Sequence, residues 1–182
     1  KLVIMYKWDA EKALEVIERE KITNFVGVPT QSWDLVNSPA FGKYDTSSLR
    51  AVGGGGAPSP ASLVTKVNEK TKNGNPQIGY GMTETNAFGP GITGSDYLTH
   101  PTSTGRAVLP MLVQVRDENL KEVPRGQAGE IWFFGPMLIR GYWNRPDATA
   151  ETIVDGWLRS GDIGRMDEDG FVYVEDRVKD MI

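Results

Sequence analysis

The sequence predicts an α/β fold, in which a parallel-type sheet with flanking helices is followed by a small β-rich subdomain, a distorted barrel. In the first half of the chain, strand-like apolar runs alternate with apolar residues at helical spacing. In the second half helical spacing becomes scarce, and turn signals such as "DEN" and "DG" separate short strands. This change of pattern predicts an α/β subdomain over residues 1–95, which carries the "GGAP" and "GYGMTE" segments, and a β-rich subdomain over residues 96–182.

The elements of the first half follow in order along the chain. Residues 2–6, "LVIMY", have the pattern of a short buried strand, and Asp9 is the expected N-cap of the next helix. Residues 22–28, "ITNFVGV", are β-rich, and Pro29 should end that strand. The remaining elements are a short helix around 33–36, a strand entering the glycines of "LRAVGGGGAPSP" with a helix after it, and a strand at "PQIGYG".

The second half begins with "GPGITGSDYLTHPTSTG", whose Gly, Ser, Thr and Pro content predicts a long ordered loop or a connection between subdomains. Two strands follow at "MLVQV" and "GEIWFFG", the first ending in an Asp-Glu-Asn turn. The segment "GWLRSGDIGRMDEDGFVYVEDR" predicts a strand, a loop, an Asp-Gly turn and another strand.

Composition excludes several classes of protein. The chain has 182 residues, 39% of them hydrophobic and 24% charged, as in ordinary globular domains. A net charge of −4 without a basic cluster argues against nucleic-acid binding. Without cysteine, and with His100 as its single histidine, the chain cannot assemble a disulfide or a zinc site. No membrane span or signal peptide is visible, so we expect a cytoplasmic protein. Both ends fall inside apparent structure, which predicts a piece of a longer chain.

Residues 52–58, "VGGGGAP", lie where a strand ends and a helix is expected to begin. Ligands bind at such strand ends in α/β sheets, because helix N-termini offer free N–H groups there. The segment is neither a dinucleotide fingerprint nor a phosphate-binding loop, since no G-x-G-x-x-G and no Gly-Lys-Ser/Thr occurs. A flexible turn is the alternative, although four consecutive glycines cost conformational entropy and so suggest a geometric need.

The stretch "GYGMTE" combines groups that suit a purine nucleotide and its metal ion. Tyr80 can stack on a purine, with glycines on both sides clearing space. Thr83 can donate to a phosphate oxygen, and Glu84 offers the hard oxygen that Mg²⁺ prefers. A strand-end turn with two solvated polar residues accounts for the same pattern.

In "WLRSGDIG", Asp162 could accept hydrogen bonds from both hydroxyls of a ribose. An Asp-containing turn is the alternative for this segment by itself. The acidic run "MDEDGF" does not fit an EF-hand loop, because Arg165 would occupy the first ligand position. An Asp-Gly hairpin turn is expected there.

Taken in order, "GGAP", "GYGMTE", "GEIWFFGPMLIRGYWNRPDAT" and "GWLRSGDIG…GFVYVEDRVKD" resemble the adenylate-forming AMP-binding superfamily over essentially the whole chain. Within it, "GVPTQSWDLV", "GSDYLTHPTSTGRA" and "RGYWNRPDAT" are most similar to bacterial fatty-acyl-CoA ligases. The resemblance implies an enzyme that uses ATP and Mg²⁺ to convert a carboxylic acid, here a fatty acid, into acyl-AMP. Coenzyme A would then displace AMP.

The resemblance also implies a role for each matching residue. Thr83 would hold the α-phosphate and Glu84 the Mg²⁺, and these two would carry the catalysis. The other positions are Gly55, Gly56, Ala57, Tyr80 and Gly81 around the adenine, Asp162 and Arg177 on the ribose hydroxyls, and Lys179 at the hinge of a small C-terminal domain.

Two departures from the family pattern bear on activity. Ser160 stands where threonine is more usual before Gly-Asp. The Ser/Thr/Gly-rich loop ending in lysine and the C-terminal domain with its adenylation lysine have no counterpart in these 182 residues, so the chain is expected to be inactive alone. The alternatives are another adenylate-forming ligase, namely an aryl-acid ligase or a peptide-synthetase adenylation domain, and a non-catalytic nucleotide-binding module.

Overall fold

The computed structural model of the protein describes residues 1–177, which form two compact units. The first unit contains residues 1–78 and 93–102, and the second contains the rest of the described chain. Residues 79–92, which carry the "GYGMTE" motif, belong to the second unit by their contacts. The chain therefore leaves the first unit at residue 79, returns to it at residue 93, and joins the second unit again at residue 103.

The first unit is the α/β part that the sequence predicts. Asp9 caps its first helix as expected, with a carboxylate oxygen accepting from the Lys12 N–H at 2.8 Å. Strands β1 and β2 pair in parallel, with Phe25 opposite Val52, and β3 lies next in the order. The elements of the α/β part are α1 (Ala10–Glu20), β1 (Asn24–Gly27), α2 (Pro29–Asn37), β2 (Ala51–Gly55), α3 (Ala61–Lys70), β3 (Asn75–Gly79), β4 (Gly91–Thr93) and α4 (Gly94–Thr99). By their contacts, the last residue of β3 and the first two residues of β4 belong to the second unit.

The core of this unit lies between the helices and the sheet. Helical spacing brings the apolar residues of each helix to one face, and the strands supply the opposing side chains. The largest fully buried members are Leu14, Leu35, Leu49, Val36, Val52, Val64 and Val67.

Two predictions for this part were wrong. Residues 2–6 form no strand, and Leu2 and Ile4 are 84% and 81% exposed. An apolar run becomes a strand only when a neighbouring strand pairs with it, and none in the described chain does so here. The segment expected as a long loop instead contains β4 and α4, because Tyr97, 2% exposed, anchors a turn of helix.

The second unit is a curled antiparallel sheet with strand order β5-β6-β8-β7, and β9 pairs with β8. One bulge in β8 against β6 and one in β9 against β8, where Glu175 is the extra residue, bend the sheet. Its elements are β5 (Leu112–Arg116), β6 (Gly129–Phe134), α5 (Pro146–Thr152), β7 (Ile153–Val154), β8 (Trp157–Met166) and β9 (Val172–Arg177). The core cluster is Met111, Val115, Ile131, Phe133, Leu158, Met166 and Val172.

Both predicted hairpin turns of this unit are confirmed. In the first, the Asp117 carboxylate accepts from the N–H groups of Asn119 and Lys121, each at 2.9 Å. In the second, Gly170 adopts a φ of 83° and donates to the Asp167 carbonyl at 3.0 Å. The Asp117 carboxylate thus accepts from the N–H groups of its turn, and Gly170 supplies the positive φ of the other, as the sequence predicts.

Among residues 1–177, no helix combines the length and the apolar character that crossing a bilayer requires.

Candidate nucleotide site

The most distinctive feature of the second unit is the backbone around Asp162. The sequence predicts a loop here, but β8 runs unbroken through it as a bulged strand. Against β6, Arg159 pairs with Trp132 and Ile163 pairs with Glu130, so three residues of β8 stand opposite one of β6. A bulge of this kind turns a side chain away from the regular alternation of the strand.

Asp162 lies in a small polar cluster. Its side chain is 10% exposed, and it accepts a short hydrogen bond from the Tyr80 hydroxyl. The Arg177 guanidinium, on the neighbouring β9, lies 3.1 Å from the other carboxylate oxygen. The structure therefore brings together three of the residues that the sequence identifies, across up to 97 positions of chain (177 − 80 = 97). Arg177 itself is 73% exposed and can still reach a ligand.

Tyr80 is half-buried and its ring packs at a tilt against Phe133, with 5.6 Å between centroids. Burial, and next the hydrogen bond to Asp162, raise the pKa of the Tyr80 phenol far above its usual value. The phenol therefore stays neutral and keeps donating its proton to the carboxylate. Stacking of Tyr80 on adenine stays a prediction.

This raised pKa has a consequence for stability at alkaline pH. The folded state holds Tyr80 neutral, whereas the unfolded chain ionises it near its ordinary pKa of about 10. The resulting stabilisation is fully present below that pH and is lost as pH rises above it. We expect the free energy of unfolding to fall more steeply above about pH 10 in the parent than in Tyr80→Phe. Urea unfolding at stepped pH measures both slopes, with Tyr6→Phe, at a fully exposed position, as control. Equal slopes in the parent and Tyr80→Phe would contradict the assignment.

Thr83 and Glu84 lie on one turn of 3-10 helix, Thr83–Thr85. The buried Thr85 hydroxyl closes this turn by accepting from the Met82 N–H at 3.1 Å. Asn86 and Ala87 follow with φ of 53° and 60°, which reverses the chain. Thr83 is exposed and Glu84 is half-buried, so both side chains are accessible.

The segment after β6 holds this turn in place. The Ile139 N–H donates to the Glu84 carbonyl at 2.9 Å, and the Asn86 amide donates to the Met137 carbonyl at 2.7 Å. The Tyr142 hydroxyl donates to Glu84 Oε1 at 2.7 Å. This hydrogen bond, together with burial, raises the pKa of the Tyr142 phenol. Glu84 is therefore oriented by a residue 58 positions away.

A magnesium ion would depend on few protein ligands in this site. Within residues 1–177, no group of three or more His, Asp or Glu side chains is placed to hold a metal. Glu84 fits the other common arrangement, in which one carboxylate acts with phosphate oxygens and water. Its Oε1 is oriented by Tyr142, and Oε2 receives no hydrogen bond from the described residues. An open cavity of about 460 Å³ beside Tyr142 is lined in part by Arg140, Asn144 and Arg145, which suit an anionic ligand.

The remaining predicted positions are spread over the chain. Gly55 ends β2 in the first unit, and Gly56 and Ala57 follow in the exposed loop before α3, which begins only at Ala61. Gly81 has a structural reason to be glycine, because a Cβ there would lie 2.9 Å from the Ala87 carbonyl carbon. Lys179 lies outside the described residues.

Sequence reasoning missed two residues that support the site, Tyr142 and Glu130. Tyr142 stands inside the quoted motif "RGYWNRPDAT", but nothing local indicates that its hydroxyl meets Glu84. Glu130 is the second residue of "GEIWFFG", where a charged residue in a largely apolar strand is the available signal.

The chain is similar to several acid–CoA ligases along its whole length. It is 37% identical to feruloyl-CoA synthase from Amycolatopsis sp. over 100% of this chain and 36% of that protein. It is 40% identical to a long-chain-fatty-acid–CoA ligase from Yersinia pestis, over 100% of this chain and 32% of that protein. The chain thus spans about a third of the length of these relatives.

Solved structures agree in fold. The amide bond synthetase McbA from Marinactinospora thermotolerans matches with a TM-score of 0.92 and 37% identity, over 98% of this chain and 36% of that one. The N-terminal domain of FACL13 from Mycobacterium tuberculosis matches with a TM-score of 0.87 and 33% identity, over 95% of this chain and 43% of that one. The model of the AMP-binding enzyme family matches residues 1–143. The chain therefore belongs to the AMP-binding enzyme family.

Proposed function

We propose that the full-length gene product containing this chain is an ATP-dependent acid–CoA ligase that forms acyl-AMP and passes the acyl group to coenzyme A. The observation that carries the proposal is the nearly buried Asp162 carboxylate, which accepts from Tyr80 and faces Arg177. A buried carboxylate with lone pairs to spare can receive the two hydroxyls of a ribose. Shortly after Tyr80 in the chain, the Thr83–Thr85 turn also presents the Thr83 hydroxyl and the Glu84 carboxylate. A purely structural ion pair would not need these two groups.

The proposed roles follow the geometry of each group. Thr83, exposed at the start of its turn, donates to the α-phosphate, and Glu84 binds Mg²⁺ through its carboxylate. Bound Mg²⁺ would supply neutralisation of phosphate charge, the main requirement of transfer at phosphorus. Asp162 and Arg177 bind the ribose, and Tyr80 and Gly81 contact the adenine. Gly55, Gly56 and Ala57 are proposed as further nucleotide-binding positions. Lys179 is proposed as the hinge residue.

A fatty acid is the proposed substrate, on the strength of the motifs shared with fatty-acyl-CoA ligases. A hydroxycinnamic acid is the second candidate, and the relative named feruloyl-CoA synthase, 37% identical over the whole chain, favours it. We propose coenzyme A as the acceptor because both curated relatives above are named as CoA ligases or synthases. Since the proposed substrates ATP and coenzyme A are cytoplasmic metabolites, a cytoplasmic location is proposed with them.

Pyrophosphate release by the full-length gene product tests the function. We expect release that requires ATP, Mg²⁺ and a carboxylic acid, and acyl-CoA when coenzyme A is added. Hydroxylamine trapping with a fatty acid, ferulic acid and an amino acid then identifies the substrate class. Trapping with the amino acid alone would overturn both substrate proposals, and no release with any acid would overturn the activity. The 182-residue chain by itself is expected to show no ATP–pyrophosphate exchange above background.

Tyr142→Phe tests how Glu84 is oriented. Removing the hydroxyl deletes the 2.7 Å hydrogen bond to Glu84 Oε1 and leaves the ring in place. We expect the Mg²⁺ concentration for half-maximal adenylation to rise about 10-fold, the usual effect of losing a partner that orients a metal ligand. The rate at saturating Mg²⁺ should change less.

Tyr173→Phe is the matched control, because the Tyr173 hydroxyl donates to the Asp167 carboxylate at 3.0 Å in a hairpin of the same unit. Its Mg²⁺ dependence should equal that of the parent. If Tyr142→Phe also equals the parent, Tyr142 does not orient the metal ligand.

A further inference from the structure

Glu130 is a nearly buried carboxylate that none of the proposed roles uses. It lies in β6, its side chain is 12% exposed, and it faces the bulge that carries Asp162. A carboxylate with so little exposure is costly unless several donors compensate it. The identity of those donors indicates what Glu130 does.

Donors from two strands satisfy Glu130. Oε1 accepts from the Gly161 N–H at 3.1 Å, at the centre of the bulge. Oε2 accepts from the Arg159 guanidinium at 2.9 and 3.1 Å and from the Trp132 indole at 3.2 Å. Glu130 therefore links the backbone of the bulge to Arg159 and Trp132. These two residues are opposite each other in the pairing of β8 with β6, directly before the bulge.

The bulge needs such support because its backbone is irregular. Gly161 adopts a φ of 72°, and its N–H makes no ladder bond with β6, whose register shifts at this point. Asp162 follows directly, its N–H donating to the Ser160 hydroxyl at 3.0 Å. The bond from Gly161 to Glu130 therefore anchors the residue next to Asp162 to β6, while β9 pairs with Asp162 itself.

We propose that Glu130 is a positioning residue for ribose recognition, which acts by holding the 160–162 bulge so that Asp162 meets both ribose hydroxyls. This inference rests on the proposed function, because it assumes that Asp162 binds the ribose of ATP. Glutamine at position 130 keeps the size of the side chain but weakens the charge-assisted bond to Arg159. It also introduces a donor where Gly161 already presents one. Asp162 should then be displaced while the sheet persists.

The experiment compares ATP with 2′-deoxy-ATP and 3′-deoxy-ATP as substrates of the full-length gene product. The measured quantity is the ratio of kcat/KM for ATP to that for each analogue, which does not depend on the fraction of active protein. We expect Glu130→Gln to raise KM for ATP about 10-fold, with little change in kcat, because displaced binding groups lose their interaction with ligand. The ratio should fall toward one, since analogues that lack a hydroxyl lose less.

Two reference variants make the result decisive. Asp162→Asn replaces one of the two accepting oxygens with an amide donor, so the side chain can no longer accept from both ribose hydroxyls and the preference for ATP should be lost. Glu122→Gln changes an exposed carboxylate that accepts from Gln114 in the β5 hairpin, and it should keep the parental ratio. A parental ratio in Glu130→Gln, with the preference lost in Asp162→Asn, would overturn this inference and leave the proposed function standing.

A parental ratio in Asp162→Asn would instead overturn the ribose assignment itself. If Glu130→Gln does not fold, Arg159→Lys replaces it, because lysine keeps the charge but loses the planar fork that holds Glu130. A ratio between those of the parent and Asp162→Asn supports the role of Glu130, and a parental ratio overturns it.

Discussion

Replacing Glu84 with glutamine in the full-length gene product is expected to lower acyl-adenylate formation by at least about 100-fold, a loss typical for removal of one preorganised charge-stabilising group. The amide keeps the shape of the side chain and can still accept from Tyr142, but it lacks the negative charge that Mg²⁺ prefers. The turn itself should persist, since the Glu84 carbonyl keeps its bond from the Ile139 N–H. Pyrophosphate release at saturating ATP measures the effect.

The dependence on Mg²⁺ identifies the cause. Part of the Glu84→Gln loss should be recovered at higher Mg²⁺, because the phosphates of ATP still supply ligands to the ion. Glu118→Gln is the control, since Glu118 is an exposed carboxylate in the turn after β5. An unchanged rate in Glu84→Gln would remove Glu84 from the site. A loss that no Mg²⁺ concentration relieves would contradict the metal role.

Replacing Gly54 with alanine is expected to destabilise the first unit by about 3 kcal/mol, at the upper end of the usual cost of overpacking. Gly54 pairs with Gly27 across the parallel β1–β2 pair. An added Cβ would collide with the Gly27 carbonyl oxygen and lie 2.8 Å from its carbonyl carbon. Both obstructing atoms belong to the backbone, so the clash can be relieved only by separating the strands.

Thermal unfolding of the 182-residue chain measures this cost. For a chain of this size we expect Tm to fall by roughly 6–12 °C. Gly42→Ala is the matched control, because a Cβ at Gly42 would meet nothing within 4 Å. Its Tm should stay near that of the parent. A Tm for Gly54→Ala equal to that of the control would contradict close strand packing as the reason for this glycine.

The four consecutive glycines at positions 53–56 are required for more than one structural reason. Their conformational cost suggests a geometric need, and the structure supplies two different ones. Gly53 and Gly54 let neighbouring strands approach closely, whereas Gly56, with a φ of 84° and open space around it, sits in an exposed loop. A substitution at Gly54 therefore tests the packing of the strands, whereas one at Gly56 strains a left-handed backbone in an exposed loop.

The sequence by itself determined the family, the α/β part followed by a β-rich part, the Asp9 cap and both hairpin turns. Each of these depends on neighbouring residues or on the order of motifs, which a linear pattern contains. The prediction of a strand at residues 2–6 was wrong because strand formation depends on a pairing partner elsewhere in the chain, which a local pattern does not contain.

Only the tertiary structure decided how the candidate site is supported. The bond from Tyr80 to Asp162 joins residues 82 positions apart, and the bond from Gly161 to Glu130 joins residues 31 apart. Such contacts follow from strand register and from the bulge in β8, and a one-residue shift would turn every side chain to the other face. The candidate site residues can therefore be proposed from local motifs, while their orientation is set by the pairing of distant strands.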